Sequence, residues 1–350
     1  MTEPTTPTDS DPKPRSRVRA IIQVIGFALS IGALGWAISA ALSPDNREQL
    51  SKLLEATPAQ ILTMVALSCA SVGVNGLIFW TLIRPVKPLR ATDVISVNAI
   101  ATLLAYLPFK LSLIVRVAIH HKRDKVPVLT IGAWMGAVGI TMLAVLGPMT
   151  LVSLWRKDVD TLWWVSMILA VSLCATIAIL ISKSLEGERG IDRLARLPLV
   201  GRAAATEWYK RAHDGFTMVA HTPTSISACV LRMIDVALFA GRFVGAAWIL
   251  GLPIGWSDAL LLGSGYFLIG VFSPFGALGT REAGTIGIAA LFGVSQAATN
   301  TDSGAVPIEV AVVFITGVEA VVNIGCAGFG VAWLRADRMV RKLTRDRDPR

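Results

Sequence analysis

The chain has 350 residues, of which 53% are hydrophobic and only 16% are charged, and its mean hydropathy is +0.61. This balance excludes an ordinary soluble globular domain and indicates an integral membrane protein. The formal net charge is +9, but long apolar runs separate the basic residues, so we expect them to set membrane orientation and expect no nucleic-acid partner.

The first 17 residues are rich in Pro, Thr and Asp, and we expect them to form a disordered cytoplasmic tail. A single transmembrane domain is expected over residues 18–334, followed by a basic cytoplasmic tail over residues 335–350. A helix needs about 20 apolar residues to cross a bilayer, and six runs satisfy this requirement. These predicted spans are residues 18–42, 59–83, 127–154, 162–182, 224–250 and 307–334.

Two further apolar stretches, 91–121 and 257–293, are interrupted near their middle. Pro108 interrupts the first stretch, and Pro274 and Gly276 interrupt the second. Proline removes a backbone hydrogen bond and breaks a helix. We interpret both stretches as broken helices that turn back as re-entrant hairpins.

The distribution of Lys and Arg supports this interpretation. Five segments outside the spans hold 24 of these residues, and four other segments hold only four. Under the hairpin model all five rich segments share one face, which the positive-inside rule places in the cytoplasm together with both termini. The rich segments are 1–19, 84–90, 122–125, 183–222 and 335–350; the poor ones are 43–58, 155–161, 251–256 and 294–306.

The two stretches also resemble each other. Each has an apolar arm, a Pro-Phe pair, and then Arg116 or Arg281 eight or seven residues after the proline. Three crossings separate them, so the units would be inverted, and matching interrupted segments in inverted halves point to a transporter's binding site. The alternative is a static bundle with ordinary kinked helices.

The long polar loop over residues 183–222 allows two interpretations. Trp208, Phe216 and Val219 are spaced to face one way, which is typical of a helix on an anionic membrane surface. A solvated connector is the alternative.

Ionisable side chains at membrane depth cost a few kcal/mol each and are functional candidates by default. Arg232, Asp235 and Arg242 share one helix face, and the first two are spaced as an ion pair. Arg242 then needs another acid, such as Glu319, or an anionic lipid group. The full set of candidates for binding or translocating a lipid headgroup is Lys110, Arg116, Arg232, Asp235, Arg242, Gly279, Arg281, Glu282 and Glu319.

In the second hairpin, Gly279 precedes an adjacent Arg281-Glu282 pair. A half-helix that starts here would expose backbone N–H groups and a positive dipole to an anion such as phosphate. The alternative is a salt-bridged loop that merely closes the hairpin. His120 and His121 follow the first hairpin, where we expect a wet interfacial position and not a metal site.

No nucleophile elbow, nucleotide-binding loop, metal triad or pair of catalytic carboxylates is recognisable. The four cysteines lie singly in apolar runs without metal-ligand spacing. We therefore expect no enzyme activity, no cofactor and no metal.

Around the two hairpins the sequence resembles the transmembrane region of the lysylphosphatidylglycerol synthase/flippase family. The resemblance covers about residues 18–334 and depends on Leu107-Pro108 with Arg116, and on Pro274 with the run 278–283. It implies a bacterial plasma-membrane protein that moves a lipid or lipid-linked headgroup between leaflets. The sequence departs from the family pattern at Ser112, Ala277 and Glu319, and the aminoacyl-transfer domain of the synthases is absent from the 350 residues.

The sequence thus predicts an all-α membrane protein with about six spans and two re-entrant hairpins, whose function is flippase-like translocation of an anionic lipid. Two alternatives differ in class. One is a non-transporting scaffold for a partner enzyme of lipid or glycan synthesis; the other, less favoured, is an intramembrane glycosyl or lipid transferase.

Overall fold

The computed structural model of this chain describes the backbone of residues 15–107, 110–187, 190, 214–273, 276–294 and 308–347. Side chains are described within these ranges from residue 21 to residue 337, with residue 214 excepted. The prolines predicted to break the two hairpins, Pro108 and Pro274, lie outside the described residues, as does most of the predicted N-terminal tail.

Twelve α-helices and one short 3-10 helix make up the described elements. In chain order they are α1 (Arg15–Ala41), the 3-10 helix Pro44–Asn46, α2 (Arg47–Leu54), α3 (Pro58–Ile83), α4 (Ala91–Leu104), α5 (Leu111–Lys122), α6 (Val128–Trp155), α7 (Thr161–Leu185), α8 (Asp214–Ala220), α9 (Thr222–Leu250), α10 (Trp256–Phe272), α11 (Thr280–Leu291) and α12 (Ile308–Arg347).

Six of these helices are long and apolar enough to cross a membrane: α1, α3, α6, α7, α9 and α12. Their apolar parts begin and end within a few residues of the predicted spans, because the bilayer itself demands runs of this length. Leu29 on α1 and Leu169 on α7 are 68% and 65% exposed, as side chains that face lipid would be. The prediction of a multi-pass helical membrane protein is confirmed.

Helix α7 illustrates how the ends of these spans are fixed. The Asp160 carboxylate accepts hydrogen bonds from the Arg156 guanidinium and from the Trp163 backbone N–H, the latter at 2.9 Å. These bonds satisfy the free N–H groups of the first turn. The arginine first, and the backbone N–H second, lower the pKa of Asp160 to about 2.

Each predicted hairpin region is a pair of short helices packed on each other, α4 with α5 and α10 with α11. At 1.5 Å per residue, the 14 residues of α4 and the 12 residues of α5 extend about 21 Å and 18 Å, less than the roughly 30 Å hydrocarbon core. Lys110 and Gly276 stand at equivalent places after the Pro-Phe pairs, and both have a left-handed φ, 49° and 117°.

The units α3–α6 and α9–α12 pack in corresponding ways. Helix α3 contacts α4 as α9 contacts α10, and α3 and α9 contact each other at the centre. The hairpin of each unit also packs on the last helix of the other unit: α4 on α12, and α10 on α6. The first helix of each hairpin therefore packs against helices of both units.

Two boundaries differ from the sequence predictions. Helix α12 continues to Arg347, so residues 335–347 extend the last helix. Asp337 in this extension pairs with Arg123 at 2.6 Å, and ion pairs of this kind give no signal in hydropathy.

In the loop over residues 183–222, the part described as α8 packs on α6 and α7 with Met218 and Val219 buried. The solvated connector was wrong for this part, and the helix on a membrane surface stays a prediction; Trp208 lies outside the described residues.

Candidate anion-binding cavity

A cavity of about 410 Å³ lies between the two hairpins, lined by residues from α3, α4, α5, α6, α9, α10, α11 and α12. The structure brings six of the sequence-predicted candidates to its wall. Five are basic and one is acidic: Lys110, Arg116, Arg232, Arg242, Arg281 and Glu319. The remaining three candidates, Asp235, Gly279 and Glu282, lie behind its wall, and Gly276, which was predicted as a hairpin break, also lines the cavity.

The turns of the two hairpins meet at this cavity. The backbone N–H of Ala277 donates a hydrogen bond to the Ala105 carbonyl oxygen at 3.1 Å. A Cβ atom on Gly276 would lie 3.3 Å from the Tyr106 carbonyl oxygen, and the φ of 117° disfavours any other residue there. Glycine thus lets the backbones approach each other closely.

A four-membered ion-pair network forms one side of the cavity. The Arg281 guanidinium donates through Nε to Glu282 Oε1 at 2.9 Å and through Nη1 to Glu319 Oε1 at 3.0 Å. Arg242 Nη1 lies 3.2 Å from Glu319 Oε2, which confirms the expected pairing of these two residues. The sequence did not predict that Glu319 would also bind Arg281. Glu319 therefore joins helices α9, α11 and α12.

Neutral polar side chains that the sequence analysis missed complete this network. Tyr266 donates its hydroxyl to Glu319 Oε2 at 3.1 Å, and its ring lies under the Arg281 guanidinium at 4.3 Å. The Thr316 hydroxyl donates to Glu282 Oε1 at 2.9 Å. Tyr266 and Thr316 could have been identified from the sequence as uncharged polar side chains inside apolar helices.

Gly279 has a structural position beside this network. Its φ is 84°, and its backbone N–H donates to the Glu282 carboxylate. A Cβ atom here would collide with the Ser30 carbonyl oxygen of α1. The N–H that was expected to face a bound anion thus faces an anion of the protein itself.

Arg232 and Asp235 form the ion pair that their spacing predicts. Arg232 Nη1 donates to Asp235 Oδ2 at 2.7 Å, and both side chains are about 1% exposed. Ser71 donates its hydroxyl to Asp235 Oδ1 at 2.7 Å, and the Asn75 side-chain oxygen lies 3.3 Å from Arg232 Nη2. The pair links α9 to α3 at the centre of the bundle.

Arg116 differs from the other cavity arginines because no carboxylate among the described residues pairs with it. Its Nη2 donates to the Asn98 side-chain oxygen at 2.9 Å, and its guanidinium lies 3.8 Å from the centre of the Phe79 ring. The side chain is 6% exposed, and Nη1 has no hydrogen-bond partner within the described part of the chain. Burial of an unpaired cation is costly, so an anionic partner for this donor would lower the free energy of the folded chain.

Lys110 is the second cavity cation without a counter-charge. It stands before α5 with an exposed side chain, and the described residues offer it no ion pair. An exposed ammonium keeps much of its hydration, so Lys110 costs little when the cavity is empty.

The expectation of wet interfacial histidines was wrong for His120. Its side chain is fully buried, with Nδ1 2.7 Å from Asp124 Oδ2 and the ring centre 5.0 Å from that of Trp134. His121 is exposed as expected. Within the described ranges, no three His, Cys, Asp or Glu side chains are grouped to hold a metal ion.

Comparison of the chain with protein-family models, with curated proteins and with solved structures finds no match. The functional argument therefore depends on the cavity: a partly open, cation-rich space at the contact between two short helical hairpins.

Proposed function

We propose that this chain is a translocator of the lysylphosphatidylglycerol synthase/flippase type, which moves an anionic lipid or lipid-linked headgroup between leaflets of a bacterial plasma membrane. The cavity with its five basic side chains is the observation that supports this most strongly. Basic residues at membrane depth cost free energy, so their presence favours a functional role for them. We propose no catalytic role and no cofactor.

The proposed topology places both termini in the cytoplasm and lets the hairpins α4–α5 and α10–α11 enter from opposite faces as an inverted repeat. The corresponding helix packing of the two units supports this. So do residues placed at equal separation: Pro58 and Pro223 in the first turns of α3 and α9, and Asp93 and Asp258 in the first turns of α4 and α10. In inverted repeats, substrates bind where the halves meet.

In this proposal the headgroup phosphate binds Arg116 and Lys110 when the cavity opens to the cytoplasm. When the cavity opens to the other face, the phosphate contacts Arg281. Arg242 and Glu319 hold the two units together, because their ion pair joins α9 to α12. The acyl chains stay in the bilayer, so only the polar headgroup needs the cavity.

Arg116 gives the sharpest test, because its removal leaves no buried carboxylate unpaired. In liposomes that contain the purified chain and phosphatidic acid with a dithionite-sensitive fluorophore on one acyl chain, dithionite quenching measures how much of the lipid crosses. We expect rapid exchange with the wild type and a loss of at least about tenfold with Arg116→Gln, the loss that one hydrogen bond to a charged group predicts. The control Lys122→Gln, which removes an exposed cation outside the cavity, keeps the wild-type rate.

Thermal unfolding in detergent separates loss of function from loss of fold. Arg116→Gln removes a buried unpaired charge, so the melting temperature stays equal or rises while translocation falls. If the folded wild type moves no labelled lipid at all, the translocator proposal is wrong and a scaffold for a lipid- or glycan-modifying enzyme becomes the better hypothesis.

A further inference from the structure

We infer that the headgroup bound in this cavity carries two negative charges on one phosphate, as a lipid phosphomonoester does, and not the single charge of a phosphodiester. The inference depends on the proposed function and specifies its substrate class. Its basis is the charge balance around the cavity.

Three of the five cavity cations are already neutralised by carboxylates of the chain. Arg232 pairs with Asp235. Arg242 and Arg281 are balanced by Glu319 and Glu282, and both carboxylates are also held by hydroxyl groups or backbone donors. These two clusters are each neutral in total.

Arg116 and Lys110 are the two cavity cations that no carboxylate balances among the described residues. The side chains that line the cavity, together with the carboxylates bonded to them, therefore sum to a charge of +2. Arg116 is only 6% exposed, so its charge is unfavourable until an anion compensates it, whereas the exposed Lys110 supplies a second positive charge beside it at the cavity wall. A phosphate with two charges makes the occupied cavity neutral, whereas a phosphodiester leaves one cation uncompensated.

Free hydrogen-bond donors support the same assignment. Buried guanidinium nitrogens without a hydrogen-bond partner in the described part of the chain include Arg116 Nη1, Arg281 Nη2, Arg232 Nε and Arg242 Nε. A phosphomonoester offers three terminal oxygens, each a strong acceptor, and its charge is close to −2 at neutral pH. A phosphodiester has only two such oxygens, because the third carries an ester group.

The test compares two lipids that differ by one methyl group. Phosphatidic acid and phosphatidylmethanol, with the same fluorophore on the same acyl chain, are placed at pH 8 in phosphatidylcholine liposomes that contain the full chain. The second negative charge of phosphatidic acid gains a charge contact in the cavity that phosphatidylmethanol lacks. We therefore expect phosphatidic acid to cross at least about tenfold faster than phosphatidylmethanol.

Lys110→Gln supplies the internal control for charge. Lys110 is exposed and glutamine is an uncharged polar residue that solvent accommodates, so the fold is retained. This variant lowers the preference for phosphatidic acid over phosphatidylmethanol severalfold, and Lys122→Gln leaves the preference unchanged. An unchanged preference in Lys110→Gln contradicts the assignment of the second charge to this lysine.

The two proposals fail in different ways. Equal rates for both lipids, with Arg116→Gln still inactive, overturn the phosphomonoester inference and leave the translocator proposal standing. Movement of neither lipid overturns the translocator proposal. Movement of labelled phosphatidylcholine as fast as phosphatidic acid overturns any anion preference.

Discussion

Asp235→Asn tests whether the ion pair at the centre of the bundle is structural. The asparagine keeps a side-chain oxygen that accepts from Ser71, so the change isolates the charge interaction with Arg232 at 2.7 Å. The variant leaves a cation that is about 1% exposed without its carboxylate. Breaking a buried pair in this way costs about 3–5 kcal/mol.

Arg232→Met combined with Asp235→Asn removes the stranded charge and keeps most of the buried volume. Replacing both members of a buried pair is often close to neutral, so we expect the double variant to be within about 1–2 kcal/mol of the wild type. Unfolding of the purified protein in mixed detergent micelles measures both free energies. A double variant no more stable than Asp235→Asn alone refutes the structural role of the pair.

Three further perturbations have expected outcomes. Gly279→Ala sharply lowers the melting temperature, because its φ is 84° and its Cβ meets a backbone carbonyl of α1, whereas Gly287→Ala on the open face of α11 does not. Asp160→Asn lowers the melting temperature at pH 7. The pKa of Asp160 is lowered to about 2 in the folded chain, so the ionised carboxylate stabilises the fold above about pH 4 and this stabilisation is lost as the pH falls toward 2. The difference in melting temperature between wild type and variant therefore shrinks below about pH 4 and vanishes near pH 2. Asp337→Asn speeds amide hydrogen exchange in residues 331–347, because it removes the 2.6 Å contact with Arg123; unchanged exchange contradicts the pairing.

The spans and the local ion pair could be predicted from the sequence because their causes are local. A bilayer requires about 20 apolar residues per helix, and two charges three positions apart share a helix face. Arg232 and Asp235 were therefore assigned from spacing alone, and Glu319 was one of two partners proposed for Arg242, because each buried charge needs a partner.

The composition of the cavity wall could not be predicted, because it depends on contacts between residues far apart in the sequence. Asn98, which orients Arg116, and Tyr266, which holds Glu319, are neutral side chains in apolar helices. A search limited to charged residues passes over such groups. His120 shows the opposite error, since its basic surroundings in the sequence indicated solvent and the structure buries it beside Trp134.

The interpretation of Gly279 changed most once the structure was considered. A glycine before a half-helix is a common signature of an anion site. Here the Glu282 carboxylate accepts from the backbone N–H, so the proposal assigns anion binding to the unpaired guanidinium donors, above all Arg116 Nη1. The salt-bridged turn of the second hairpin thus lies beside a cavity whose unpaired Arg116 belongs to the first hairpin.

The most direct measurement is a cryo-EM map of the full chain in nanodiscs that contain phosphatidic acid. The proposal predicts density for a phosphate inside the cavity, within hydrogen-bond distance of Arg116 Nη1, with the acyl chains directed between the helices to the bilayer. A cavity closed by its own side chains, with lipid found only on the outer surface of the bundle, would contradict it.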